Sequence, residues 1–120
     1  MRTLLTTTLL GLLAMAAVSA QLRHESPVHR TLEDLHHISD HSFVDMEKRR
    51  EFARAQDELV RFEREVHYDH AFDTARIDRA IDMLSRLSQS RELRPVDRDI
   101  FRRDIDMLRD FRSYGRTGWH

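Results

Sequence analysis

The residues of this chain best suited to chemistry are histidines. His36-His37-x-x-Asp40-His41 sets a His/His pair (His37, His41) and a His/Asp pair (His36, Asp40), each four residues apart. On a helix that spacing puts both members of a pair on one face, where they could grip one Zn²⁺, Cu²⁺ or Ni²⁺ ion. His67 and His70 form a further pair at spacing three. Eight histidines is a high count for 120 residues. Imidazole as a group can change charge near neutrality, so acid sensing is a second use for the set. The competing reading is a group of solvated histidines at helix ends. No cysteine thiolate is available and no HExxH pattern is present.

Asp104 is the other chemical oddity. On a helical wheel it falls between Ile100, Leu108 and Phe111, inside an apolar arc. A carboxylate there needs a partner, such as an Arg or His from a neighbouring helix, or a place at the edge of the packing. Its expected role is structural. The sequence holds no GxSxG, no Gly-rich phosphate loop and no SxxK, and Ser39, Ser42, Ser85, Ser88, Ser90 and Ser113 fall at predicted helix ends or on polar faces. The expectation is that the protein is not an enzyme.

The first twenty residues give an address. Met1-Arg2-Thr3 is short and positive, Leu4 to Val18 carries no charge, and Val18-Ser19-Ala20 offers small residues ahead of polar Gln21. This is the three-part pattern of a cleaved secretory signal peptide at 1–20. The apolar run is about fifteen residues and is interrupted by Thr6-Thr7-Thr8, short of the roughly 20 that a spanning helix needs. The expectation is an exported protein, periplasmic or secreted, with residues 21–120 as one domain and no membrane span after cleavage. The absence of cysteine excludes both a disulfide framework and a lipidated cysteine. The chain has 20 Lys+Arg against 21 Asp+Glu, and Arg2 leaves with the leader. Mixed, nearly balanced charge gives no field to attract nucleic acid, so that partner is not expected.

The elements that must carry these residues read as helices throughout, because Gly and Pro are both absent between Pro27 and Pro95 and the apolar spacing is helical. Ser26-Pro27 is an N-cap with proline at the first helical position, and Val28, Leu32, Leu35 and Ile38 share a face of a short first helix. The phase breaks across Ser39-Asp40-His41-Ser42, and Ser42-x-x-Asp45 resembles a capping box. A second helix is predicted over Phe43–Tyr68 with Phe52, Ala55, Leu59, Phe62 and Val66 as its stripe, and Asp45/Arg49 and Asp57/Arg61 as acid-first pairs. The alternative to a break is one merged helix of about forty residues. Asp73 caps a third helix, Thr74 to Ser90, with Ile77, Ala80, Ile81, Leu84 and Leu87 inward. Pro95 opens a fourth, with Asp97 and Asp99 in its first turn and Ile100, Phe101, Leu108 and Phe111 inward. Gly115 is the predicted stop, with a loose tail over 115–120.

Two segments echo each other. Arg79-Ala80-Ile81-Asp82-Met83-Leu84 recurs as Arg103-Asp104-Ile105-Asp106-Met107-Leu108. An old duplication and two similar stripes in one hairpin both account for it. Near the end, Phe111, Arg112, Tyr114, Arg116 and Trp119 mix aromatic and cationic groups as interface anchors do.

Phe72-Asp73, Ile77-Asp78-x-Ala80-Ile81-Asp82, Asp97-Arg98-Asp99 and Asp104-Ile105-x-x-Leu108-Arg109-x-Phe111-Arg112 lie within residues 69–114. That segment resembles a family of small exported bacterial helical proteins of unknown function. The resemblance implies a helical hairpin in an exported protein and carries no activity with it. The small periplasmic stress chaperones of the Spy type are similar in format, being all-helical, exported and of like size, but their LTxxQ signature is absent here. The expectation is an all-α fold of three main helices plus a short N-terminal helix. The protein would act without catalysis through contacts with a protein partner, in envelope stress or as a holdase. The alternative is a metal-binding or metal-responsive periplasmic protein in which His36, His37, Asp40 and His41, with His67 and His70, hold a Zn or Cu ion; otherwise no cofactor is expected.

Overall fold

The computed structural model describes residues 26–118. Four α-helices follow one another: α1 (Pro27–His41), α2 (Met46–Arg64), α3 (Thr74–Ser88) and α4 (Pro95–Gly118), with a π-helical turn (Glu65–Asp69) continuing α2. The predicted signal peptide lies outside the described residues. Among those described there is no strand, and no helix is long and apolar enough to cross a membrane.

Local signals start the helices. Ser26 Oγ accepts from His29 N–H at 3.1 Å ahead of Pro27, and Asp73 accepts from Ala75 N–H at 3.0 Å ahead of Thr74. The break between the first two helices exists, so they do not merge. Its cap is Asp45, whose Oδ1 accepts from Lys48 N–H at 2.8 Å, and α2 begins at Met46 rather than Phe43. Capping withdraws Asp45 from the expected pair with Arg49, whereas Asp57 and Arg61 do meet, at 3.1 Å. At its other end α2 widens into the π turn and stops at His70, which adopts the left-handed conformation (φ 51°, ψ 36°) and donates its N–H to Glu65 C=O.

The first helix is not a short appendage to three main ones. It has 15 residues, as many as α3, and it buries Val28, Leu32, Leu35 and Ile38. Consecutive helices pack, and α1 also packs on α4, closing a four-membered ring. One core runs through it, with Phe52 and Phe101 5.8 Å apart between ring centroids. Val66, Ile100 and Phe111, predicted inward, are only partly buried, while Ile105 lies in the core.

α4 does not stop at Gly115. It continues through that residue to Gly118, so the expected loose tail from 115 is helical as far as it is described. The glycine has a tertiary reason. A Cβ built there would overlap the Phe72 ring, which packs with Phe62 (5.0 Å) and Phe111 (5.2 Å). Gly115→Ala gains up to about 1 kcal/mol of helix preference. It also forces the ring cluster apart, at a cost of about 1–3 kcal/mol. Urea denaturation is expected to show a net loss of stability, with the sign reversing when the same change is made on a Phe72→Ala background.

Candidate functional site

The structure separates the sequence-predicted metal residues. His36 and Asp40 are exposed on α1. His37 and His41 stand one residue round the helix, about 100° away, so the two pairs do not converge on one point. The His37 and His41 rings do meet, edge to face at 4.6 Å. His41 is already engaged: its Nε2 takes a hydrogen bond from the Arg94 guanidinium at 2.7 Å and lies 3.5 Å from Asp97 Oδ2. His67 and His70 sit on the π turn, at the opposite end of the bundle, where His67 packs on Tyr68 at 4.7 Å. The π register and the left-handed backbone of His70 remove the shared face expected from i, i+3 spacing. Among the described residues no group of three or more His, Cys, Asp or Glu side chains is placed to hold one metal ion.

Asp97, read from sequence as a favourable first-turn charge on α4, turns out to be 2% exposed. Arg94 supports it with two hydrogen bonds, Nε to Oδ2 at 2.9 Å and an Nη2 contact to Oδ1 at 3.2 Å. The helix dipole favours the same charge. Together with Asp45 N–H donating to Glu92 Oε2 at 3.1 Å, this ties the α1–α2 and α3–α4 turns into one end of the bundle.

The unusual site is at Asp104. This carboxyl is 1% exposed, and its Oδ2 has no donor. An Arg of the neighbouring helix, Arg30 of α1, does lie beside it, as the sequence allowed, but the larger influence comes from another acid, Asp34 of α1. Burial first, then a hydrogen bond to Asp34 and the charge of Asp34, push the Asp104 carboxyl up to about 8, against the pull of Arg30. The carboxyl is thereby biased toward its neutral form, with Asp34 as the acid it faces across the seam. The pair lies along a cleft of about 580 Å³ between α1 and α4, with Arg30, Arg103 and Asp106 also in its walls and Ile100 and Met107 as apolar lining. The sequence echo makes the anomaly plain. Ile81 matches Ile105 and Leu84 matches Leu108 in burial, and the position filled by Ala80 in α3 is filled by Asp104 in α4. Sequence reasoning missed Asp34. A signal existed: Asp34 stands three residues after buried Thr31 and four before buried Ile38, at the margin of the inward face.

On the α2–α3 seam, Glu58 accepts from Arg76 at 3.1 Å and from Arg79 at 3.0 Å, and Arg76 also reaches Glu65. Arg79 foremost, with Arg76, holds the Glu58 carboxyl below its ordinary range despite its burial.

Among the described residues six large apolar side chains are exposed, and three of them lie at the tied end: Phe43 at 97%, Met46 at 67% and Val96 at 55%. Beside Phe43 a cleft of about 380 Å³ is lined by Ser39, Asp40, His41, Ser42 and Arg49. At the other end Tyr114 is exposed, while Phe111 is taken into the ring cluster and Arg112 into an ion pair with Asp78. The expected interface cluster is thus divided between core and surface, and Trp119 lies outside the described residues.

Comparison with protein-family models, with curated proteins and with solved structures gives no match.

The raised Asp104 value has a fixed sign in stability. A carboxyl whose folded-state value exceeds its unfolded one contributes stability in full below about pH 3.8, and that contribution is lost as pH rises toward about 8. Glu58 acts oppositely, its contribution being lost as acid titrates it. Asp104→Asn keeps a donor toward Asp34 but cannot ionise. Urea melts are expected to show this variant more stable than wild type by on the order of 1–3 kcal/mol near pH 8–9, with the difference vanishing near pH 4.

Proposed function

We propose that this chain is an exported, non-catalytic helical protein that works by holding apolar segments of other proteins against the end of the bundle built from its α1–α2 and α3–α4 turns. The observation that carries the reading is Phe43, a large aromatic side chain 97% exposed. Burying such a side chain gains about 1.5–3 kcal/mol, and the two turns leave it unburied. Met46 and Val96 are exposed on the same tied end. A short turn held by Asp45–Glu92 and His41–Arg94 contacts keeps these groups outward instead of letting them fold onto the core. The balanced charge of the chain suits a partner recognised by apolar contact more than by charge. The leader-like residues 1–20 support a site of action outside the cytoplasm. The metal-binding alternative has the His37/His41 ring pair in its favour and no third ligand beside it.

The test is suppression of aggregation of thermally unfolding citrate synthase, followed by light scattering, with the leader-free chain in equimolar amount and excess. Wild type is expected to delay scattering. A Phe43→Ser, Met46→Ser, Val96→Ser triple variant with unchanged helical circular dichroism is expected to lose most of that effect. No delay by wild type, or an equal delay by the variant, would remove the proposal.

A further inference from the structure

We propose that the Asp34–Asp104 contact is a proton-dependent latch that holds α1 on the bundle, so that loss of the shared proton lets the N-terminal half of α1 lift away from α4.

The argument begins with geometry. Each helix of an antiparallel pair contributes one carboxyl to the same point of their seam. One of the two is 1% exposed, with an oxygen that no donor reaches. With a proton between them the groups form a hydrogen bond. Without it, two negative charges stand close in a medium far less polarisable than water, where their repulsion is several times its aqueous strength. The position of the proton thus changes the sign of the interaction between α1 and α4.

Next comes the question of what else holds α1. Its packing against α2 and against α4 is less extensive than the packing of α3 against those same two helices. The cleft of about 580 Å³ lies on the α1–α4 seam, so that seam is incompletely filled beside the acid pair. At its C-terminal end α1 is tied by His41 to Arg94 and by the turn contact of Asp45 to Glu92. Toward its N-terminal end the polar tie is slight: His29 lies 4.0 Å from Glu63 of α2. Polar ties therefore hold α1 at its C-terminal end, whereas its N-terminal half is held by burial of Val28, Thr31 and Leu32, with the acid pair between.

The charged groups around the pair decide how far the repulsion is felt. From α1 come Arg30 and Asp34; from α4 itself come Arg103 and Asp106. From α2, Glu63 faces α1 and adds negative charge. The charged and polar ties of α3 to α4 involve Asp78–Arg112 and the Ser88 carbonyl with Arg102. Arg30 is the one cation whose pull already acts on Asp104. It softens the repulsion but is outweighed by burial and Asp34. The same burial and pairing place the transition on the alkaline side of neutrality. The latch is separate from the apolar turn end, so either proposal can fail without the other.

Hydrogen–deuterium exchange on the leader-free chain tests it, at about pH 6 and about pH 9, with rates corrected for base catalysis. In wild type, peptides spanning 27–41 are expected to lose protection at least about tenfold more than peptides of α3 on going to the higher pH. Asp104→Asn is expected to abolish that difference while preserving the pattern seen at the lower pH. Asp34→Asn, which removes the like charge from the other side, is expected to do the same and guards against a folding defect peculiar to one variant. Parallel loss of protection in α1 and α3, or the same α1-specific loss in both variants, would overturn the latch. So would wild-type α1 protection that stays constant with pH, the result if Arg30 closes over the ionised pair.

Discussion

A carboxyl group buried in a small helical bundle must either meet a cation or keep its proton, and three of the carboxyl clusters in this fold show the two solutions side by side. Between α2 and α3, Glu58 is satisfied by Arg76 and Arg79. Between α3 and α4, Asp78 meets Arg112 in a pair that stays partly open to solvent. At the tied end, Asp97 is satisfied by Arg94 with His41 alongside. Only at the α1–α4 seam is the buried acid matched with another acid, and there the proton takes the place of the cation. A chain without cysteine has no covalent staple to override such a choice. The raised Asp104 carboxyl at the α1–α4 seam and the lowered Glu58 carboxyl at the α2–α3 seam thus respond to pH with opposite sign.

That linkage gives the first helix its significance. As a full member of the ring it completes the core with Val28, Leu32, Leu35 and Ile38, yet it meets its neighbours through the two lighter seams. The bundle thus combines a firmly packed α2–α3–α4 unit with a more lightly packed first helix. Phe43 and its companions form an exposed apolar end separate from that seam.

What the sequence disclosed was local. The Ser26 and Asp73 caps, Pro95 at the start of α4 and most of the apolar stripes follow from contacts within a few residues, and they lie where spacing puts them, Val66, Ile100 and Phe111 being only partly buried. The errors share a different cause. Ser42 and Asp45 are both competent caps, and the cross-bundle bond from Asp45 N–H to Glu92 accompanies the choice of Asp45. Gly115 read as a stop because glycine usually ends helices. Its reason here is the Phe72 ring, which no local pattern reveals. The His67/His70 pair assumed an α-helical register that the π turn replaces. Asp104 was legible as a polar residue in an apolar arc. Its partner was not, because the antiparallel register that brings Asp34 across is a property of the assembled ring.

The central claim is that Asp104 is neutral in the folded protein under ordinary conditions because burial and Asp34 make it so. The most direct measurement is a carbon-detected NMR titration of the Asp104 and Asp34 side-chain carboxyls in the chain from residue 21 onward. The account predicts that the Asp104 resonance changes with a midpoint far above the ordinary carboxylate range, near 8. A midpoint for Asp104 at or below the ordinary aspartate value of about 3.9 would contradict it.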